Sequence, residues 1–413
     1  LRTICANKNI APHLQYVGKV NFPATLVENH RLITVIKNAD IYAPAHVGLK
    51  HVVIAHDKVI SISDSVPNIG IDHHIIDAKG CAVIPGFIDG HTHLTGGGGE
   101  AGFSTRVPPV PLSKFTSAGV TTAVGLLGTD DITRSTESLV AQVYALREEG
   151  FSAYCYTGGY HLPPTTLTGS VQRDIVFIEP VIGVGELAIS DHRSSQPTLN
   201  ELLKIASQAH VARLMTGKAG MLHLHLGDGP RGLSIIRDAL EQTEIPPRTY
   251  NPTHVNRQKF LFEEACDLAK KGCWVDVTAF ETDGEGYEPA DALLRYMQQD
   301  LPQDKLTISS DGGGCLPDFH ADGSLKKMDF AASQSMTNVF YELLDNGEDM
   351  SSVLPFFTKN IAQLMNFHKK GRVEVGADAD ILILDENNRI EHVMAMGQWH
   401  VKHKQQLLKG TFE

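Results

Sequence analysis

Cys81-Ala-Val-Ile-Pro85-Gly-Phe-Ile-Asp89-Gly-His91-Thr-His93-Leu-Thr-Gly-Gly-Gly-Gly-Glu100 runs from an apolar strand into two histidines, then into four glycines and a carboxylate. On a β-strand, side chains at i and i+2 point the same way, so His91 and His93 offer two imidazoles to one ion. Neutral imidazole suits zinc and its first-row neighbours. The chain has 20 histidines, enough for one such pair to arise by chance. The setting is what points to a metal: a buried strand before the pair and a Gly-rich loop after it.

Outward from this stretch, strand and helix patterns alternate to about residue 366. Apolar strand runs fall at 82–89, 121–127, 152–157, 181–189, 221–226, 250–254, 274–278 and 306–310. Helix-like stretches such as 135–149, 198–216, 233–242, 259–271 and 289–299 lie between them. This alternation predicts an α/β chain with a (β/α)8, TIM-like barrel over residues 85–366. A doubly wound sheet is the alternative, but no Gly-x-Gly-x-x-Gly follows the first strand. Short β runs at 32–36, 39–43, 51–55, 58–62 and 74–77 precede the barrel, and others at 371–375, 380–384, 390–396 and 398–402 follow it. Residues 31–84 and 367–413 are thus expected to build one small β-sandwich domain from both chain ends. Residues 1–30 read as an extension, natural or left by cloning.

The 413-residue chain is 42% hydrophobic and 20% charged, an ordinary globular composition. Its net charge of −12, with no basic stripe, argues against nucleic acid as a partner. No apolar run reaches the roughly 18 residues of a membrane span, and no signal-peptide pattern opens the chain. The six cysteines, Cys5, Cys81, Cys155, Cys266, Cys273 and Cys315, are scattered without a Cys-x-x-Cys pair. In a chain this long that suggests reduced thiols and a cytoplasmic protein. Cys266 and Cys273 read as packing residues.

In such a barrel the reacting groups sit at the C-terminal strand ends. Strand one ends in His91 and His93, strand two in Thr129 and Asp130, strand three in Tyr160 and His161. Strand four carries Glu186, with Asp191-His-Arg193 just after it. Strand five ends in His223 and His225, strand six in His254 and Arg257, strand eight in Asp311-Gly-Gly-Gly. Each has a plain reading: a surface histidine, a loop charge, an Asp-Gly turn. Those readings are independent, whereas metal-type residues at the same end of successive strands form one pattern.

That order of residues resembles the amidohydrolase superfamily and, within it, the isoaspartyl dipeptidases. The specific stretches are Pro85 to Gly102, Val124-Gly-Leu-Leu-Gly-Thr129-Asp, Gly169-Ser-Val, Ala188-Ile-Ser-Asp-His-Arg193-Ser, Pro252-Thr-His254-Val-Asn-Arg257 and Leu306-Thr-Ile-Ser-Ser-Asp311-Gly. The resemblance implies a metal-dependent barrel that hydrolyses β-aspartyl dipeptides, with two Zn2+ per subunit, in a homo-oligomer. His91 and His93 are then ligands of one metal and His225 and His254 of the other. Asp311 is a ligand and the proton shuttle for a hydroxide shared by the metals. Tyr160 stabilises the oxyanion. Glu100 holds the substrate amine, with Gly98 and Thr129 nearby, and Arg193 and Arg257 hold carboxylates.

Two departures stand out. The family bridges its metals with a carbamylated lysine on strand four, but here that strand holds none. Counting from one side puts Glu186 in its place and from the other Gly185, because the strand is one residue longer. Glu186 is chosen, since a carboxylate can bridge two cations; the extra residue is expected to form a bulge that brings it close. Cys315 replaces the usual serine, and a thiol is the weaker donor to a substrate carboxylate; backbone N–H groups of residues 312–314 could make that contact instead.

Charge gives the same substrate class. A β-aspartyl dipeptide carries one amine and two carboxylates around its scissile amide. Glu100, Arg193 and Arg257 supply one acid and two bidentate forks. Asp283, Glu285 and Glu288 read as a solvated acidic loop. His161, His192 and His223 are candidate partners behind the metal ligands. The alternatives are a cyclic-amide hydrolase, an N-acyl-amino-acid deacylase or a non-catalytic scaffold.

Overall fold

The computed structural model describes residues 32–66, 68–282, 284–319 and 325–413. The extension 1–30, Cys5 and Asp283 lie outside the described residues.

The chain begins with β1 (Ile33–Tyr42), β2 (His46–Ala55), β3 (Lys58–Ser63), β4 (His74–Asp77) and β5 (Ala82–Pro85). The two runs expected at 32–36 and 39–43 are one strand. Its register against β2 shifts between Ile36 and Ala39, a bulge with Asn38 at φ +52°. Before the bulge β1 pairs with β4, and beyond it with β5, both in parallel. One bulged strand thereby serves two stretches of sheet.

Residues 82–89, expected as one strand, divide at Gly86. The Gly86 N–H donates to Asp380 O in the small domain, at 2.8 Å, and the Phe87 N–H to Gly119 O in the barrel, at 3.0 Å. The barrel strands follow as β6 (Phe87–Thr92), β7 (Val120–Gly125), β8 (Ser152–Thr157), β9 (Val181–Ile189), β10 (Leu222–Leu226), β11 (Tyr250–Thr253), β12 (Val275–Thr278) and β13 (Leu306–Ser309). β6 to β11 form one continuous parallel sheet and β12 pairs with β13. The Val255 N–H donates to Asp276 O (3.3 Å) and the Trp274 N–H to Tyr250 O (3.2 Å), joining β11 to β12. The His93 N–H donates to Gly312 O at 2.7 Å and closes the circle between strands eight and one.

Helices cover the outside. Leu199–Thr216 shows why they form: Thr198 and Glu201 make a capping box and Gly217 ends it at φ +71°. Leu202, Ile205, Ala206, Ala209 and Ala212 turn one stripe toward the barrel. A hairpin that the sequence reading did not foresee, β14 (Cys315–Phe319) and β15 (Leu325–Phe330), follows strand eight.

The chain then returns to the small domain with β16 (Ile381–Leu384), β17 (Ile390–Ala395), β18 (Gln398–Lys402) and β19 (Gln405–Gln406). The expected run at 371–375 is not a strand. The sheet order is β19-β18-β17-β16-β5-β1-β2-β3. The Val59 N–H donates to Ala377 O at 3.0 Å, so the β3 edge folds back toward the start of β16. Ile36, Ile41, Val52, Ile54, Val83, Ile381, Ile383 and Met394 fill the space between. Buried Lys370 pins this sheet to the barrel: its Nζ lies 2.6 Å from Asp380, 2.9 Å from Asp378 and 2.8 Å from Ser152 Oγ of β8. Among the described residues, no helix is long and apolar enough to cross a membrane.

Candidate metal centre and substrate pocket

Strand ends bring His91, His93, Glu186, His225, His254 and Asp311 to one point, and all but half-buried Asp311 are buried. Asp311 Oδ1 lies 3.3 Å from His91 Nε2 and 3.0 Å from His93 Nε2. Glu186 faces both halves of the cluster. Its Oε1 is 3.6 Å from His93 Nε2, and its Oε2 is 3.6 Å from His91 Nε2, 3.2 Å from His225 Nδ1 and 3.6 Å from His254 Nε2.

Local backbone explains how Glu186 gets there. Leu222 pairs with Val184 but Leu224 pairs with Leu187, so Gly185 and Glu186 together oppose His223. This is the expected bulge, placed where the strand is one residue longer than the family's pattern. Gly185 has φ +152°, and a Cβ there would come within 2.7 Å of His223 Cβ. A glycine is what lets the bulge pack against β10, and it leaves Glu186 as the residue aimed inward.

A second layer orients the imidazoles. The ring nitrogen of His91 away from the cluster, Nδ1, lies 2.8 Å from His223 Nε2, and His223 Nδ1 lies 2.7 Å from Asn251 Oδ1. Burial holds His223 neutral, its pKa lowered to about 3. Its Nδ1–H then donates to Asn251 and its Nε2 accepts from His91, which turns His91 Nε2 to the cluster. His254 rests its Nδ1 on Thr278 Oγ1 at 2.8 Å. His225 rests its Nε2 on Asp191 Oδ2 at 3.0 Å. Asp89 accepts from the Ser310 N–H at 3.1 Å and from the hydroxyls of Ser310 and Ser333, fixing the turn that presents Asp311 to strand one.

The electrostatics are those of a cation site. Burial opposes ionisation of Glu186, but His91, His225 and His254 outweigh it and hold its carboxyl well below the usual range. Burial likewise opposes ionisation of Asp311, and His91 and His93 overcome it. Burial opposes charge on His91 as well, yet Glu186 and Asp311 push it up to about 9. His91 Nε2 and Asp311 Oδ1 are buried without a hydrogen-bond partner. The ligand atoms of His91, His93 and Glu186, of His91, His254 and Asp311, and of Glu186, His225 and His254 each lie within 4.8 Å of one another. These nitrogen and oxygen donors fit divalent metal, with Glu186 common to both halves.

The expected substrate residues surround this cluster. The Tyr160 hydroxyl is 2.8 Å from His225 Nδ1, and burial first, then Glu186, raises its pKa well above the ordinary value. It therefore keeps its hydrogen and serves as a hydrogen-bond donor. Arg193 Nη1 is 3.5 Å from Glu100 Oε1, and its guanidinium lies 5.6 Å from the Tyr160 ring centroid. Arg257 donates to Leu226 O at 2.8 Å and lies over Phe280, which neighbours His254. Thr129 is half-buried beyond β7. Cys315 Sγ is 2.9 Å from Glu100 Oε1, so here the thiol donates to the acid expected to hold an amine. Burial and Glu100 raise its pKa, keeping it a thiol.

Of the candidate second-layer histidines, only His223 touches a cluster imidazole. The His192 side chain is 82% exposed, so it does not stand behind a ligand. His161 lies between Asp131 Oδ1 (2.9 Å) and Arg193 O (3.2 Å), behind the arginine loop. The sequence reading missed Arg134. It donates to Thr95 O (3.3 Å), Gly97 O (2.9 Å), Gly98 O (3.3 Å) and Val107 O (3.0 Å), clamping the loop that carries Glu100. It also missed Asp191, inside a stretch it had quoted.

Comparison with known proteins agrees with this geometry. The β-aspartyl dipeptidase of Fervidobacterium islandicum AW-1, in complex with the β-Asp-Leu dipeptide, is 41% identical, with a TM-score of 0.87 over 91% of this chain and 98% of that one. A second structure from that organism is 40% identical, with a TM-score of 0.84 over the same shares. The dihydroorotase of Elusimicrobium minutum is 40% identical over 67 residues, and the match spans only 15% of that protein's length. The model of the Amidohydrolase family matches residues 82–400. The barrel, its convergent strand ends and this match together establish that the chain belongs to the amidohydrolase family.

Proposed function

We propose that the chain is a metal-dependent dipeptidase that hydrolyses β-aspartyl (isoaspartyl) dipeptides to aspartate and an amino acid. The observation that carries this reading is the 41% identity, over 91% of the chain, to a β-aspartyl dipeptidase holding β-Asp-Leu. Glu100 and Arg193, side by side next to the cation site, support it: they match an amine and a carboxylate on one small substrate.

His91, His93, Glu186 and Asp311 hold one metal, and Glu186, His225 and His254 the other. Two Zn2+ ions there would supply a water of pKa near 7 and polarise the scissile carbonyl. Asp311 takes the proton of the attacking water and passes it to the leaving amine. Tyr160 donates a hydrogen bond to the oxyanion as it develops. Glu100 holds the amine with Gly98 and Thr129 nearby, Arg193 and Arg257 hold carboxylates, and the Cys315 thiol, expected on the carboxylate side, donates to Glu100 instead. The setting is the cytoplasm, and the assembly a homo-oligomer.

The test is a turnover panel of β-Asp-Leu, α-Asp-Leu, dihydroorotate and an N-acetyl amino acid. β-Asp-Leu is expected to be hydrolysed far faster than the rest. Equal turnover of the α-linked peptide, or faster turnover of either other substrate, would reject the reading. Absence of bound metal and of hydrolysis after zinc addition would favour a non-catalytic scaffold.

A further inference from the structure

We infer that Asp191 is a positioning residue that sets a metal ligand and a substrate-binding arginine at once. Its Oδ2 accepts from His225 Nε2 at 3.0 Å and from Arg193 Nη2 at 2.7 Å. Its Oδ1 accepts from Arg193 Nε at 3.0 Å and from the Arg193 backbone N–H at 2.7 Å. Two functional side chains of different purpose thus lean on one buried carboxylate.

The backbone that carries this carboxylate is itself held. Gln196 Nε2 donates to Asp191 O at 2.8 Å, and the Gly229 N–H to Ser190 O at 2.7 Å. A Cβ at Gly227 would come within 2.5 Å of Asp191 Cβ, so the strand-five loop packs directly against this residue. It has little freedom to follow a moving partner.

Each contact has a chemical consequence. A carboxylate can only accept, so it fixes the proton of His225 on Nε2. That leaves the Nδ1 lone pair facing the cluster, with the Tyr160 hydroxyl 2.8 Å and Glu186 3.2 Å away. Carboxylate–histidine pairs of this kind tune metal affinity, typically by about 10–100-fold. The fork on Arg193 occupies Nε and Nη2, which leaves Nη1 turned toward Glu100 and the pocket. Asp191 thereby couples the geometry of metal site and substrate site through His225 and Arg193.

The substrate half of this inference rests on the proposed dipeptidase reading; the metal half does not. Asp191→Asn keeps the volume but turns an amide toward His225 or Arg193. Zn2+ affinity, measured by competition with a chromogenic chelator, is expected to fall about 10–100-fold. KM for β-Asp-Leu is expected to rise about tenfold or more. Arg193→Lys serves as the comparison, raising KM while leaving Zn2+ affinity within about twofold. Should Asp191→Asn fail to fold, Asp191→Glu gives the same test, since it keeps the charge and loses the registry. Unchanged Zn2+ affinity and KM in either folded variant would overturn the inference. If wild type does not hydrolyse β-Asp-Leu, the dipeptidase reading fails while the Zn2+ measurement still decides the role of Asp191.

Discussion

Replacing Glu186 with glutamine keeps the side chain's shape and removes its charge. The carboxylate lies 3.6 Å from the cluster-facing nitrogens of His91, His93 and His254. At that separation and an effective dielectric of about 20, one unit of charge on each side is worth about 5 kcal/mol. A divalent cation held among those nitrogens feels at least that attraction. Relaxation and water entry will recover part of it, so metal affinity should fall by about 10²–10³-fold. Equilibrium dialysis with elemental analysis would give stoichiometry, and chelator competition the affinity. Hydrolysis of β-Asp-Leu should fall in step with bound metal, and added bicarbonate should not restore it, because Glu186 needs no carbamylation. Wild-type stoichiometry and affinity in Glu186→Gln would refute the bridging role. Rescue by bicarbonate would point to a lysine elsewhere and refute it as well.

Three further outcomes follow from other parts of the molecule. Tyr160→Phe should lower kcat by about 10²–10³-fold with little change in bound metal, measured by steady-state kinetics beside metal analysis. Lys370→Met leaves the buried carboxylate of Asp380 without its cation; denaturant unfolding should show a loss of about 3–5 kcal/mol, less in the double variant with Asp380→Asn. His400 is fully buried, and burial lowers its pKa to about 4 from an ordinary 6.5. The unfolded chain then takes up this proton first, so the contribution is complete above pH 6.5 and lost as pH falls toward 4. It amounts to at most about 3 kcal/mol, and His400→Gln should flatten that part of the stability–pH curve.

The barrel could be read because its strands are short apolar runs with chemistry at one end. That is also why His91, His93, His225, His254 and Asp311 could be gathered before any contact was known. The choice between Gly185 and Glu186 needed only the argument that glycine cannot ligate, and it is the Glu186 carboxylate that faces His91, His93, His225 and His254. What escaped is long-range or unpatterned. Arg134 pairs locally with Asp130, but its four carbonyl partners come from a loop that precedes it by nearly 30 residues or more. The β14–β15 hairpin has a proline and two lysines where alternating apolar residues would have marked strands. His192 sits between two functional neighbours but points outward, because a loop, unlike a strand, does not fix which way successive side chains face.

The ion chain around Lys370 bears on how this protein can be cut or rebuilt. Asp378 meets Lys370 with one oxygen and Lys58 of β3 with the other. Asp380 and Ser152 complete the cage, so its members come from both chain ends and from a barrel strand. A barrel excised from its sheet would keep only the Ser152 hydroxyl of this cage, whereas the detached sheet would carry all four charges with one wall of their enclosure removed. The two modules are therefore not interchangeable parts: a chimera that swaps the sheet must bring Lys370 together with Lys58, Asp378 and Asp380, or apolar replacements for the whole cage, and set them against the Ser152 hydroxyl.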